Sequence, residues 1–309
     1  MFDLIISSLF PMAFLLLLGY FAAYHQDFTK DNATILNKMV MLYALPLCLF
    51  SNIATTSIHK IIEQRDTLLA LFLVMLPVYV ITLFVSKILF KQTLGLSALI
   101  SFAISVPAIS FIGIPILGNL IGPISSIPIA VGCIFINIFQ MPLTIILLSL
   151  DSTNKEEKIN FGQSILEAIK QPIVWAPILA LIIVFIDFKV PETLIESFRL
   201  LGNATGGVAL FSSGIVLYSY KIALTKEVWF ISICKNFAVP FLAWALVIAL
   251  KFPPNIVRET VLTVSLPSAV FTIILSINYN KGQELMASNL FLSCVLSLIS
   301  MALFIYLLP

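Results

Sequence analysis

Ser105-Val106-Pro107-Ala108-Ile109-Ser110-Phe111 interrupts one apolar run of the chain, and Ser265-Leu266-Pro267-Ser268-Ala269-Val270-Phe271 interrupts another 160 residues later. Both stretches place a serine two residues before a central proline and a phenylalanine four residues after it. A proline inside a helix removes one backbone N–H and crowds the carbonyl four residues earlier. In hydrocarbon the freed groups need partners, so such a break persists only against protein or a cavity. Each break ends one half-helix near Ser105 or Ser265 and begins another near Ala108 or Ser268. The beginning ends carry partial positive charge and suit a carboxylate. The finishing ends offer carbonyls to a cation or a proton-bearing group. One such proline reads as an ordinary kink, whereas a matched pair points to a binding site between two halves.

The runs around these breaks are long. Of 309 residues, 60% are hydrophobic and 10% charged, against about 25% charged in soluble domains. A bilayer core takes roughly 20 apolar residues per helix, so the chain holds about ten spans. We place them near 4–24, 35–55, 67–90, 95–119, 125–149, 171–187, 200–220, 229–250, 259–279 and 286–308. Asp3 stands where a secretory signal would be basic, so residues 4–24 are expected to be a retained first helix. The longest polar stretch, 151–170, is expected to be a cytoplasmic linker between a first five-helix repeat (1–150) and a second (171–309).

A second match supports the repeat: Leu49-Phe50-Ser51 returns as Leu210-Phe211-Ser212, at an offset of 161. Five spans is an odd number, so the second repeat enters the membrane from the opposite side. The expected fold is therefore an all-α integral membrane protein of ten transmembrane helices, with spans 4 and 9 broken. Of the 17 Lys and Arg residues, 11 collect at one set of span ends and six at the other. Setting aside Lys38 and Lys235, which fall within spans, leaves nine against six. The positive-inside rule then places both termini outside.

Polar residues inside other spans extend the candidate site. Asn137, Gln140 and Thr144 share one face of span 5, and Asn289, Ser293, Ser297 and Ser300 form a comparable stripe on span 10. Such stripes also serve as plain interhelical contacts, worth about 0.6 kcal/mol each. Ser51 and Asn52 in span 2, with Ser212 and Ser213 in span 7, are weaker candidates of the same kind. The residues proposed to bind substrate are Ser51, Asn52, Ser105, Pro107, Ala108, Ser110, Asn137, Gln140, Ser265, Pro267 and Ser268. No carboxylate occupies the middle of a span, so a carboxylate proton or sodium site is not visible. Lys235 is read as snorkelling toward the cytoplasmic end. Cys48, Cys133, Cys234 and Cys294 lie in apolar runs without a nearby histidine and read as packing residues. His25 and His59 are loop residues, and phosphate-binding, zincin and nucleophile–base motifs are absent. An enzyme, a cofactor, a metal site and a nucleic-acid partner are not expected, the net charge being only +2.

Leu45-Pro46-Leu47-Cys48-Leu49-Phe50, Phe111-Ile112-Gly113-Ile114-Pro115 and Leu266-Pro267-Ser268-Ala269 together resemble the auxin efflux carrier family, whose bacterial relatives include malonate and malate carriers. The resemblance covers nearly the whole chain. It implies crossed spans 4 and 9, a homodimer built through a scaffold domain and an elevator-like motion. It also implies a small organic anion as substrate, a proton or sodium as possible coupling ion, and a place in the bacterial inner membrane. Asn137 resembles a polar position lining the family's site. Family members usually carry Asn just after the first crossover proline and Gly two residues later, where this chain has Ala108 and Ser110. Two other readings fit the same residues: a sodium-coupled organic-anion symporter of the bile-acid type, and a membrane receptor that binds a ligand without moving it.

Overall fold

Backbone groups in lipid must be satisfied within their own segment, and the apolar runs accordingly fold as helices. The structure, a computed structural model, describes residues 2–55, 65–109, 117, 132–133, 135–152, 170, 172–220 and 222–308. Ser110 and nearly all of the 151–170 linker lie outside the described residues. Helices α1 (Phe2–Tyr24), α2 (Lys30–Ala54), α3 (Arg65–Leu89) and α4 (Leu94–Ser105) are followed by α5 (Ile136–Asp151) and α6 (Pro172–Phe185). Then come α7 (Glu192–Ser219), α8 (Lys226–Ala249), α9 (Pro254–Val264), α10 (Phe271–Asn278) and α11 (Gln283–Leu307). Among the described residues α2, α3, α7, α8 and α11 are long and apolar enough to cross a membrane. Span 7 begins earlier than expected, because α7 runs from Glu192 through a turn at Asn203.

Large apolar side chains cover the outside: Phe14, Ile81, Phe84, Ile88, Leu242 and Ile299 are all more than half exposed. Water would penalise such a surface heavily, whereas lipid tails do not. The protein is a multi-pass membrane protein.

The helices sort into two packing groups. α1, α2, α6 and α7 pack on one another; α3, α4, α5, α8, α9 and α11 form the other group. Gly19 and Gly214 let α1 and α7 touch, since a Cβ at either would lie 2.0 Å from a backbone oxygen of the other helix. The groups meet where α7 and α1 reach α11, and through a buried bond from Asn37 Nδ2 to the Ile274 carbonyl of α10 (3.0 Å).

Three helices widen by one π turn: Val40–Ala44 in α2, Ile136–Gln140 in α5 and Cys234–Ala238 in α8. Each turn is followed two residues later by a proline, Pro46, Pro142 or Pro240. The ring crowds the carbonyl four residues before it. The backbone relaxes into wider bonds, Leu45 N to Val40 O, Met141 N to Ile136 O and Val239 N to Cys234 O. Such turns gather at functional sites, and two of these three carry the polar residues described next.

Candidate functional site

The two proline breaks meet. Pro107 and Ser268 face each other in an antiparallel bridge, Ala108 N donates to Pro267 O at 2.9 Å, and Ala269 N donates to Val106 O at 3.2 Å. Two unwound stretches thus satisfy each other as a minimal pair of strands at the centre of the bundle. Pro107 deprives the Ala103 carbonyl of the N–H that a continuous helix would supply, and Ser268 Oγ fills that place at 2.9 Å. Ser105, Pro107, Ala108, Ser265, Pro267 and Ser268 are all buried, Ala108 at 1% exposure.

On the first side, α5 supports the break. Gln140 Nε2 donates to Ser105 Oγ (3.1 Å) and to the Met75 carbonyl of α3 (3.2 Å). One turn further, Thr144 Oγ1 lies 2.8 Å from the Tyr79 hydroxyl and donates to Gln140 O at 2.7 Å. Both contacts between α3 and α5 advance by four residues, so these helices run parallel. Among the described residues nothing donates to the buried Asn137 Oδ1 and Gln140 Oε1, nor to Asn236 Oδ1 on the other side.

On the second side, α8 and α11 support the other break. Ser232 Oγ donates to Asn289 Oδ1 at 2.9 Å, and Asn236 Nδ2 donates to Ser293 Oγ at 2.9 Å. These pairs also advance by four residues, so α8 and α11 are parallel as well. Asn289 Nδ2 donates to Ser268 Oγ (3.1 Å), and Ser268 N donates to Ser293 Oγ (2.9 Å). Asn236 stands 161 residues after Met75, the offset already seen between Leu49 and Leu210.

The structure corrects one reading. Lys235 does not snorkel: it is fully buried, and its Nζ donates to the Val264 carbonyl at the end of α9 (3.1 Å). The π turn at 234–238 turns it inward beside Asn236. Glu259 is also buried, at 3% exposure, where Thr67 Oγ1 donates to its Oε2 (3.2 Å). Ser51 and Asn52 are not joined to the crossing: Ser51 Oγ bonds back to Cys48 O, and Asn52 is exposed. Ser265 Oγ also turns back, to Val261 O at 2.7 Å. The sequence reading passed over Ser232 and Asn236, although their four-residue spacing around Lys235 follows the face rule applied to Asn137 and Gln140.

A cleft of about 700 Å³ opens between the two packing groups. Phe72 of α3, Phe135 and Phe139 around α5, and Leu181 of α6 line it, with Arg65 at its edge. Among the described residues no cluster of metal-binding side chains occurs.

Residues 4–305 match a family model described as membrane transport protein. The "Uncharacterized transporter YfdV" of Escherichia coli K12 is 28% identical over 303 residues, covering 97% of this chain and 96% of the relative. The "Uncharacterized transporter MJ1031" of Methanocaldococcus jannaschii is 27% identical over 299 residues, 94% of each. The "Putative malonate transporter" of Rhizobium meliloti is 22% identical over 300 residues, 96% of this chain and 93% of the relative. All three relatives carry the name transporter.

Proposed function

Because the chain belongs to the membrane transport protein family, the auxin efflux carrier family of the resemblance above, we propose that it is a secondary transporter of a small organic anion, a mono- or dicarboxylate. The observation that carries this is the crossing of the two breaks, Ala108 N to Pro267 O and Ala269 N to Val106 O. It brings helix ends of both signs together, the arrangement by which broken-helix carriers hold substrate and coupling ion. Ala108 and Ser268 mark the ends that attract a carboxylate, and the backbone dipoles there substitute for the family's usual asparagine. An amide such as Asn137 presents N–H to a carboxylate when turned about its last torsion. The name of the Rhizobium meliloti relative agrees with a dicarboxylate.

Alternating access follows from the two packing groups. The crossing lies wholly within the group containing α3, α4, α5, α8, α9 and α11, which moves as one body against α1, α2, α6 and α7. The arrangement of ten spans in two inverted repeats, a homodimer through the second group, the bacterial inner membrane and external termini complete this reading.

Uptake into proteoliposomes tests it, with a panel of labelled mono- and dicarboxylates and with sodium and proton gradients imposed separately. Saturable uptake of an acid is the expected result. Saturable binding without uptake under either gradient would return the receptor reading.

A further inference from the structure

Lys235 is the part of the crossing that substrate recognition leaves unexplained. It is fully buried, and no ion pair joins it to a carboxylate among the described residues. A charge in such a place is costly unless something specific compensates it. The compensation is the end of α9. Val264 is the last residue of that helix, and a continuous helix would give its carbonyl the N–H of Ser268. Ser268 N donates to Ser293 Oγ instead, and the Lys235 ammonium takes the vacated carbonyl at 3.1 Å. A helix C-terminus carries roughly half a negative charge, so the break itself creates the site that the ammonium fills.

The first half has no counterpart. The residue 161 positions before Lys235 is Val74, buried and apolar. The carbonyl matching that of Val264 in α4 is that of Ile104, and its helical donor, Ala108 N, turns to Pro267 O instead, with no lysine beside it. The positive charge is therefore peculiar to one helix end and is not an echo of the repeat.

We propose that the Lys235 ammonium is a resident cation: it occupies the carbonyl end of α9 where a broken-helix carrier takes a mobile coupling cation, so that this protein works without sodium. The inference rests on the transport reading and names the cation of that same site. The tethered charge neutralises the exposed helix end in the empty carrier as well as the loaded one. An entering anion meets a positive charge already in place, and no sodium has to bind first.

The test is thermal unfolding of the purified protein in detergent, with sodium chloride titrated against choline chloride at constant ionic strength. The wild type is expected to melt at the same temperature in both salts. Lys235→Met should melt lower in choline and recover saturably as sodium enters the vacated end. If that variant does not fold, Lys235→Ala, which also vacates the Val264 carbonyl, replaces it with the same expected response to sodium. Saturable sodium stabilisation of the wild type overturns the proposal, and so does a variant whose melting ignores sodium. The melting curves need no substrate, so a failure of uptake would strike the transport reading alone.

Discussion

The crossing has two sides that differ in how completely their polar groups are used. On the α8–α11 side, Ser232, Asn236, Ser268, Asn289 and Ser293 form a chain of bonds beside the contact of Lys235 with the Val264 carbonyl, and among the described residues one amide oxygen, Asn236 Oδ1, has no partner. On the α3–α5 side, Gln140 and Thr144 reach Met75, Tyr79 and Ser105 without any charge, and two amide oxygens stay unpartnered. A buried acceptor left unpaired costs about 1–3 kcal/mol. The second side thus makes more of the bonds that join the two breaks, and the first side leaves two amide oxygens unpartnered to the second side's one.

The largest effect expected is from straightening either break. Alanine at Pro107 or Pro267 restores the N–H and relieves the clash, favouring a continuous helix by about 3 kcal/mol. Uptake should fall on the order of a hundredfold for Pro107→Ala and Pro267→Ala. Pro11→Ala in α1, outside the crossing, should change it little. Equal effects at all three prolines would remove the crossing from the transport site.

The next two predictions separate the sides. Ser293→Ala orphans Ser268 N and removes one acceptor of Asn236 Nδ2, which keeps the Ser232 carbonyl, and should cost about 2 kcal/mol of stability. Ser105→Ala removes one acceptor of a Gln140 amide that keeps the other, and should cost about half as much, or roughly 1 kcal/mol. Thermal unfolding of both variants checks the order, and a reversal would mean that the α3–α5 side is the anchor. Asn137→Ala should leave unfolding near the wild type while raising the apparent KM for uptake roughly fivefold, about 1 kcal/mol of binding. A variant with unchanged KM would take Asn137 out of the site.

Much of this was legible in the sequence because it rests on backbone chemistry. Two prolines in matched frames required partners for the groups they freed, and each break supplied the other's. Gln140 could be found because its polar neighbours keep helical spacing. Lys235 was misread because a lysine near a helix end ordinarily reaches water. Only the π turn before Pro240, with the carbonyl vacated by Ser268 in another helix, makes burial favourable. A widened turn shifts side-chain facing by about a quarter-turn, which a fixed 3.6-residue period does not follow. Ser51 is a candidate as a polar residue inside a span, yet α2 packs there against α6 and α7.

A charged contact away from the crossing ties the end of α5 to the turn before α11. Lys281, in the turn between α10 and α11, pairs with the Asp151 carboxylate at the end of α5 and donates to the Asp151 carbonyl at 2.9 Å. Burial pushes the Asp151 carboxyl up, but hydrogen bonds from Lys281 and Thr93, the Lys281 charge and the Gly95 N–H outweigh it and hold the group below its ordinary range. A carboxyl whose folded value is lowered stabilises fully above its unfolded value, and that contribution is lost as pH falls through the folded one. Asp151→Asn should therefore lower stability at neutral pH by less than about 1 kcal/mol, since the pair remains partly in contact with solvent. The difference from the wild type should vanish in acid, below the ordinary aspartate range of about 4. Unfolding of both proteins across that range checks this. A penalty that persists in acid would show Asp151 acting through its shape against Gly95, where a Cβ would lie 2.9 Å from its Oδ2. That contact would then be one of packing, leaving Lys235 as the charge that distinguishes the two sides of the crossing.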